Sequence, residues 1–276
     1  MEAPAPFPPW QPMTFGGVAA FSRSPPGRLL FMQFIVALLV AASVLCLLVS
    51  AWFPVIQKTL ARLPEKGAIR GGRLEWNNPS PVRLAEGTFL SITVDVEGGS
   101  RFGQSADVQF ELERRGFKIC SLFGCVAVPY PENWTIALNR SGAEPWWGAW
   151  RPFLLVGLGV GVVIGVMGSW MVLATLYSLP LRLITFYTDR HVNWSGCWRV
   201  AAAAQAPGAL LMSGAILLYS FNRLNLVGLL FAWLLHIVVG WIYVGTAPSR
   251  LPRLATGPHQ RGNPFGSRNK EKKAKP

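Results

Sequence analysis

The chain has 276 residues, of which 51% are hydrophobic and 14% are charged, whereas soluble domains carry about 25% charged residues. This composition favours an integral membrane protein. The formal net charge of +13 would suit a nucleic-acid partner, but residues 54–150 are nearly neutral, with eleven basic and ten acidic residues. The excess lies in residues 247–276, beside a membrane segment, so we expect contact with anionic lipid headgroups and no nucleic-acid partner.

Residues 1–28 are rich in proline and lack helical periodicity, which predicts a disordered cytoplasmic arm. Arg23 and Arg28 precede an uncharged segment, residues 29–53, which is long enough to cross a hydrocarbon core of ~30 Å. The apolar segment and its leader are both longer than those of a cleaved signal peptide. We therefore predict an uncleaved signal anchor as the first span.

Residues 54–150 contain most of the acidic residues and many turn residues, and they predict a small, mainly antiparallel β domain. Apolar and polar residues alternate over 91–97 and 106–113, which is typical of strands with one buried and one solvated face. The acidic residues of these runs could be read as carboxylate pairs for glycoside cleavage, but the alternation favours a solvated strand face. Further strands are predicted at residues 68–76, 82–89, 117–128 and 134–139, with Gly71-Gly72 as a turn or bulge in the first of these.

Cys120 and Cys125 are the only two cysteines that lie close together in the sequence. Two cysteines that close a hairpin loop can reach disulfide geometry, and an exported domain meets an oxidising compartment. A structural disulfide is the favoured interpretation. The alternatives are two unpaired core thiols, or a metal or redox pair, although two ligands make no zinc site.

A second uncharged stretch predicts a membrane span over residues 152–179. Gly157, Gly161, Gly165 and Ser169 recur every four positions and share one helical face. Small residues at this spacing let helix backbones approach closely in lipid. We predict a packing face within one bundle, with the first span as its partner; a homodimer interface or a pore lining are the alternatives.

Two more spans are predicted at residues 200–222 and 224–246, joined by a tight turn. Gln205 interrupts the third span, and His236 is the one ionisable group deep inside a span. Intramembrane ionisable residues are candidate functional residues, and the expected partner of His236 is Gln205 or a backbone carbonyl. A neutral, packed histidine is the competing interpretation.

Basic residues in short loops favour both termini in the cytoplasm, which places residues 54–150 outside it. The cytoplasmic tail, residues 247–276, is polar and basic. The residues expected to contact anionic headgroups are Arg250, Arg253, Arg261, Arg268, Lys270, Lys272, Lys273 and Lys275.

No histidine lies in residues 54–150, which excludes Ser-His-Asp and Cys-His nucleophilic sites and most histidine metal centres in this domain. Gly-rich phosphate loops and carboxylate-metal motifs are also absent from the sequence. We therefore expect no enzyme activity, no cofactor and no metal. Asn133 and Asn139 match the glycosylation acceptor pattern, which matters only in a eukaryotic secretory pathway.

The order of elements, together with Leu63-Pro64 and residues 72–75 (Gly-Arg-Leu-Glu), resembles uncharacterised bacterial four-span inner-membrane proteins with an exported insert after the first span. The resemblance implies a bacterial inner-membrane location, but no activity and no functional residues. The expected fold is a four-helix membrane bundle with a small β domain. Our hypothesis is a non-enzymatic envelope binding, scaffold or sensing protein that acts through this domain on an envelope partner. A transport or channel component with a polar path near Gln205 and His236 is the alternative, and a membrane enzyme comes third.

Overall fold

A computed structural model describes residues 11–99, 103–190 and 192–252. Its α-helices, numbered in chain order, are α1 (Phe15–Ala20), α2 (Pro26–Leu47), α3 (Phe53–Ala61), α4 (Arg140–Tyr187), α5 (Trp194–Ala203), α6 (Ala206–Ser220) and α7 (Leu226–Thr246). A π-helical turn joins α2 to α3, and 3₁₀ turns follow α1 and α7.

Four helical stretches are long and apolar enough to cross a membrane, which confirms the four predicted spans at that level. The third and fourth agree with the predicted bounds to within a few residues. The first two stretches, Pro26–Ala61 and Arg140–Tyr187, extend well beyond the apolar segments. Asn139 explains where α4 begins, because its side chain accepts a hydrogen bond from the Gly142 N–H at 2.9 Å and caps the helix.

The chain forms two compact units. Among the described residues, the first comprises 11–41, 161–190, 192–215 and 227–252, and the second comprises 42–99, 103–160 and 216–226. The third span is the most buried of the four candidate spans, with 61% of its most apolar window inside the structure against 6–22% for the others.

In the first unit, small residues of the third span lie at the centre of the core. Ala201, Ala203 and Ala204 are completely buried, and Ala202 is nearly so. Because these side chains are short, neighbouring helices can approach the backbone closely. The helix breaks between α5 and α6, and the Ala202 carbonyl before the break accepts a hydrogen bond from the Gln33 side chain of α2.

The prediction that residues 1–28 form a disordered arm is wrong for the later part of this range. Helix α1 begins after Thr14, whose hydroxyl accepts the Gly17 N–H, and a 3₁₀ turn continues it to Arg23. Val18 and Phe21 are completely buried in the first unit's core. Apolar contact with the helices therefore orders a segment whose composition alone predicts disorder. Residues 1–10 lie outside the described residues.

The second unit contains the β domain, which has eight strands among its described residues. They are β1 (Gly67–Arg70), β2 (Arg73–Trp76), β3 (Val82–Glu86), β4 (Leu90–Val94), β5 (Val108–Leu112), β6 (Gly116–Ser121), β7 (Gly124–Pro129) and β8 (Ile136–Ala137). One sheet has the order β2-β1-β8 and the other the order β3-β4-β5-β6-β7. The turn predicted at Gly71-Gly72 joins β1 to β2, and both glycines have positive φ.

The prediction of a mainly antiparallel domain requires one correction, since β4 and β5 are parallel. All other strand pairs in the described residues are antiparallel. A parallel pair needs a crossover connection, here residues 95–107, which an alternation pattern does not reveal.

The prediction that the polar strand faces are solvated is wrong at Asp95 and Glu111, whereas Glu97 is exposed and Asp107 and Glu113 are half-buried. Thr93 is fully buried, and Asp95, Gln109 and Glu111 are exposed by 5% or less. The crossover segment contacts this face, because the Ser105 N–H donates to the Gln109 side-chain oxygen at 3.4 Å. The opposite, apolar face packs against α3 and the three-stranded sheet. The larger sheet is therefore buried on both faces near β4 and β5.

Candidate functional site

The sheet ends in a hairpin, β6–β7, that carries the disulfide. Cys120 and Cys125 are directly opposite each other in the register and are joined by a disulfide bond. Their Cα atoms are 4.0 Å apart, which fits a non-hydrogen-bonded antiparallel pair, whose spacing is about 4.5 Å, better than a hydrogen-bonded one at about 5.5 Å. The N–H and C=O groups of Cys125 therefore point away from β6. Because the orientation of a strand's main-chain groups repeats every two residues, the N–H and C=O groups of Ala127 also point away from β6.

Strand β7 is an edge strand and is exposed along its whole length. Within the described residues it pairs with β6 alone. Phe123 at the hairpin tip is 81% exposed, and Val126 in the strand is 64% exposed. This surface was not predicted from the sequence. The signal for it was present, since no charged residue lies between Lys118 and Glu132.

The other edge of the sheet is protected. The register of β3 shifts between Arg83 and Ala85, which interrupts its ladder. In addition, the Arg62 guanidinium donates to the Leu84 carbonyl at 2.9 Å. Bulges and covering groups of this kind prevent an edge from pairing with another strand. In β7 the register with β6 is regular and the strand contains no charged residue.

Burial and charge shift three pKa values in the β domain. Burial raises the pKa of Glu111, opposed by the nearby positive charge of Lys118. The ion pair with Glu113 raises the pKa of Lys118. Burial also raises the pKa of Tyr130. The described residues contain no group of three or more His, Cys, Asp or Glu side chains that could hold a metal ion.

The structure does not show the close packing predicted for the small-residue face of α4. Gly157, Gly161, Gly165 and Ser169 are all exposed. A Cβ added at any of the three glycines would meet no atom within 4 Å. Val163, on the opposite side of the helix, packs against the core instead. The three glycines face away from their own chain, because α4 contacts the core through its larger residues, whereas Ser169 lines a cavity of the first unit.

Gln205 and His236, which the sequence places in different spans, line one cavity of about 200 Å³ in the first unit. Gln205 lies at the break between α5 and α6 and is 7% exposed. Its amide nitrogen donates to the Trp170 carbonyl at 3.2 Å, whereas its oxygen is buried and has no partner among the described residues. Most of the other lining residues are apolar or aromatic.

His236 has one of the partners expected from the sequence, a backbone carbonyl. Its Nδ1 contacts the Trp233 oxygen one turn earlier in α7. Because a carbonyl only accepts, Nδ1 is the donor in this contact. The backbone at His236 also lies very close to α6, since a Cβ added at Gly208 would be 2.5 Å from the His236 carbonyl oxygen.

Of the other residues singled out from the sequence, some lie in the described part of the chain and some lie outside it. Arg250 ends the 3₁₀ turn after α7. The other seven basic residues proposed to contact headgroups lie outside the described residues. Asn139 has a structural role as the cap of α4, and Asn133 is exposed. Comparison of the chain with protein-family models, with curated proteins and with solved structures finds no match.

Proposed function

We propose that this is a non-enzymatic membrane protein that binds an extended segment of a partner protein along strand β7. The observation that carries the proposal is the edge of β7 before Pro129, which no bulge or charged side chain protects and where the main-chain groups of Cys125 and Ala127 are directed outward. Unpaired N–H and C=O groups on an exposed edge are a ready template for one more strand.

The physical chemistry of the edge supports an extended polypeptide as the occupant. Main-chain hydrogen bonds supply affinity in strand addition, and alternate side chains supply specificity. Here the exposed apolar residues Val126 and Val128 would contact alternate side chains of the added strand. The disulfide holds the hairpin in one register, which reduces the conformational entropy lost on binding.

We further propose that the β domain lies outside the cytoplasm and that both termini lie inside. Contacts within each unit support this arrangement. In the second unit the Tyr219 hydroxyl, near the turn between the third and fourth spans, donates to Asp107 at 2.6 Å. In the first unit the Tyr243 hydroxyl, near the end of the fourth span, donates to the Met13 carbonyl at 2.6 Å. The arm and the end of α7 therefore meet, as two cytoplasmic segments would.

The test of strand addition is site-specific photocrosslinking of the full chain in its membrane. Benzoylphenylalanine at Val126 should give a discrete adduct with one partner, and the same probe at Glu86 on the protected edge should not. Ala127→Pro should abolish the adduct, because proline removes an outward N–H that the added strand needs. Ala127→Ser is the matched control, since it keeps that N–H.

Three results would refute the proposal. One is an adduct of equal strength with and without Ala127→Pro, provided that the variant keeps its disulfide and its melting temperature. A second is an adduct with the mass of two copies of this chain, which would assign the edge to self-association. The third is the absence of any adduct at Val126, which contradicts a bound partner.

The alternative of a transport or channel component has one specific observation in its favour, the meeting of Gln205 and His236 at one cavity. A broken helix beside such a cavity is a feature of many transporters. The mainly apolar lining favours a binding site over a polar path.

A further inference from the structure

We propose that the cavity between α4, α6 and α7 binds an uncharged, lipid-soluble molecule of about the size of one ring that carries a hydroxyl group, such as a phenol. The site is independent of β7 and lies entirely within the first unit. It rests on a buried acceptor without a partner and on a space of suitable size.

The buried acceptor is the side-chain oxygen of Gln205. A buried polar atom without a hydrogen bond costs free energy, so native structures normally supply it with a partner. The nitrogen of the same amide donates to Trp170, which fixes the orientation of the amide. The group that completes the site must therefore donate a hydrogen bond.

Ser169, Tyr177 and His236 add further hydrogen-bonding side chains to the cavity lining, and apart from Gln205 the other lining residues are apolar or aromatic. An anion is disfavoured, because no lysine or arginine lines the cavity to offset its desolvation. A cation is disfavoured as well, since no acidic side chain lines the cavity to offset its desolvation.

The size and the depth of the cavity limit the ligand further. Benzene occupies an engineered apolar cavity of about 150 Å³, so about 200 Å³ holds one ring with a substituent. At a rise of about 1.5 Å per residue, His236 lies ~15 Å from the start of α7 at Leu226, halfway across a hydrocarbon core of ~30 Å. A molecule that reaches this depth must itself dissolve in lipid.

Gly240 shows where a larger side chain would block the site. It lines the cavity and is buried, yet a Cβ placed on it would meet no atom within 4 Å. Gly240→Val should therefore fill the cavity without forcing the helices apart. Gly214→Val is the matched control, because Gly214 also has open space around an added Cβ but does not line the cavity.

Fluorine NMR of the purified full chain in detergent tests the proposal with 4-fluorophenol and 4-fluorotoluene as probes. The wild type should show a saturable bound resonance for 4-fluorophenol, distinct from the micelle signal, and Gly240→Val but not Gly214→Val should abolish it. Gln205→Met keeps the side-chain volume and removes the acceptor. It should therefore weaken the affinity for 4-fluorophenol about tenfold and leave the affinity for 4-fluorotoluene unchanged.

Equal affinities of the wild type for the two probes would overturn the assignment of Gln205 as the acceptor. The absence of any saturable resonance for either probe would overturn the site itself and leave ordered water as the partner of Gln205. Saturable binding that persists in Gly240→Val would place the ligand elsewhere on the protein.

Discussion

The close approach of α6 to α7 makes Gly208 sensitive to any added side chain. In Gly208→Ala the new Cβ would lie 2.5 Å from the His236 carbonyl oxygen, whereas real Cβ contacts stay beyond 3.0 Å. The helices would have to separate by about half an ångström or more, and overpacking of this kind costs about 1–3 kcal/mol. Alanine also gains up to ~1 kcal/mol of helix propensity, which offsets part of that cost.

Gly214→Ala on the same helix provides the control, because its Cβ would meet no atom within 4 Å and it changes helix propensity in the same direction. The free energy of unfolding of both variants can be measured by titrating the full chain in mixed micelles with sodium dodecyl sulfate. We expect Gly208→Ala to be less stable than Gly214→Ala by about 1–3 kcal/mol. Equal stabilities would refute the close helix crossing.

Three other predictions follow from the packing and charge of the chain. Gly161→Leu should leave the stability in detergent unchanged, whereas Gly159→Leu should lower it. The reason is that a Cβ at Gly159 would lie 3.2 Å from a leucine side chain of α2. Equal effects of the two substitutions would contradict this packing. Protein taken from the membrane without reductant should resist alkylation at Cys120 and Cys125, and two freely alkylated thiols in its mass spectrum would exclude the disulfide. Because the folded pKa of Glu111 is raised, its contribution to stability is complete below its ordinary pKa of 4.5 and declines as the pH rises through the folded value. Glu111→Gln should flatten this part of the melting temperature's pH profile, and an unchanged slope would show that Glu111 does not cause it.

The sequence predicts the spans well, because a long uncharged segment has few stable positions other than a bilayer or a buried core. It also predicts the turn at Gly71-Gly72, whose glycines act locally, and the disulfide between Cys120 and Cys125, although it takes residues 117–128 as one strand where the structure has two. It fails for the polar face of β4 and β5. Alternation shows that Thr93 and Glu111 share a face, but a connection formed by the same chain decides whether water reaches that face.

The small-residue stripe of α4 shows the same limit within the membrane. Periodicity places Gly157, Gly161 and Gly165 on one side of the helix, but it does not tell the side that faces the protein from the side that faces lipid. Both environments are apolar, so composition does not separate them. The alanine run, residues 201–204, was the more informative signal, because that segment is surrounded on every side.

The buried third span has a consequence for how the protein enters the bilayer. Its most apolar window has a mean hydropathy of 1.5, against 2.1 or more in the other three spans. The alanines that let it fill the centre of the core give it little affinity for lipid, and Gln205 lowers that affinity further. Only a short turn separates it from α7, whose mean hydropathy is 2.1. During synthesis, partition of the third span into lipid should therefore depend on α7, so that the two helices leave the translocation machinery as a pair.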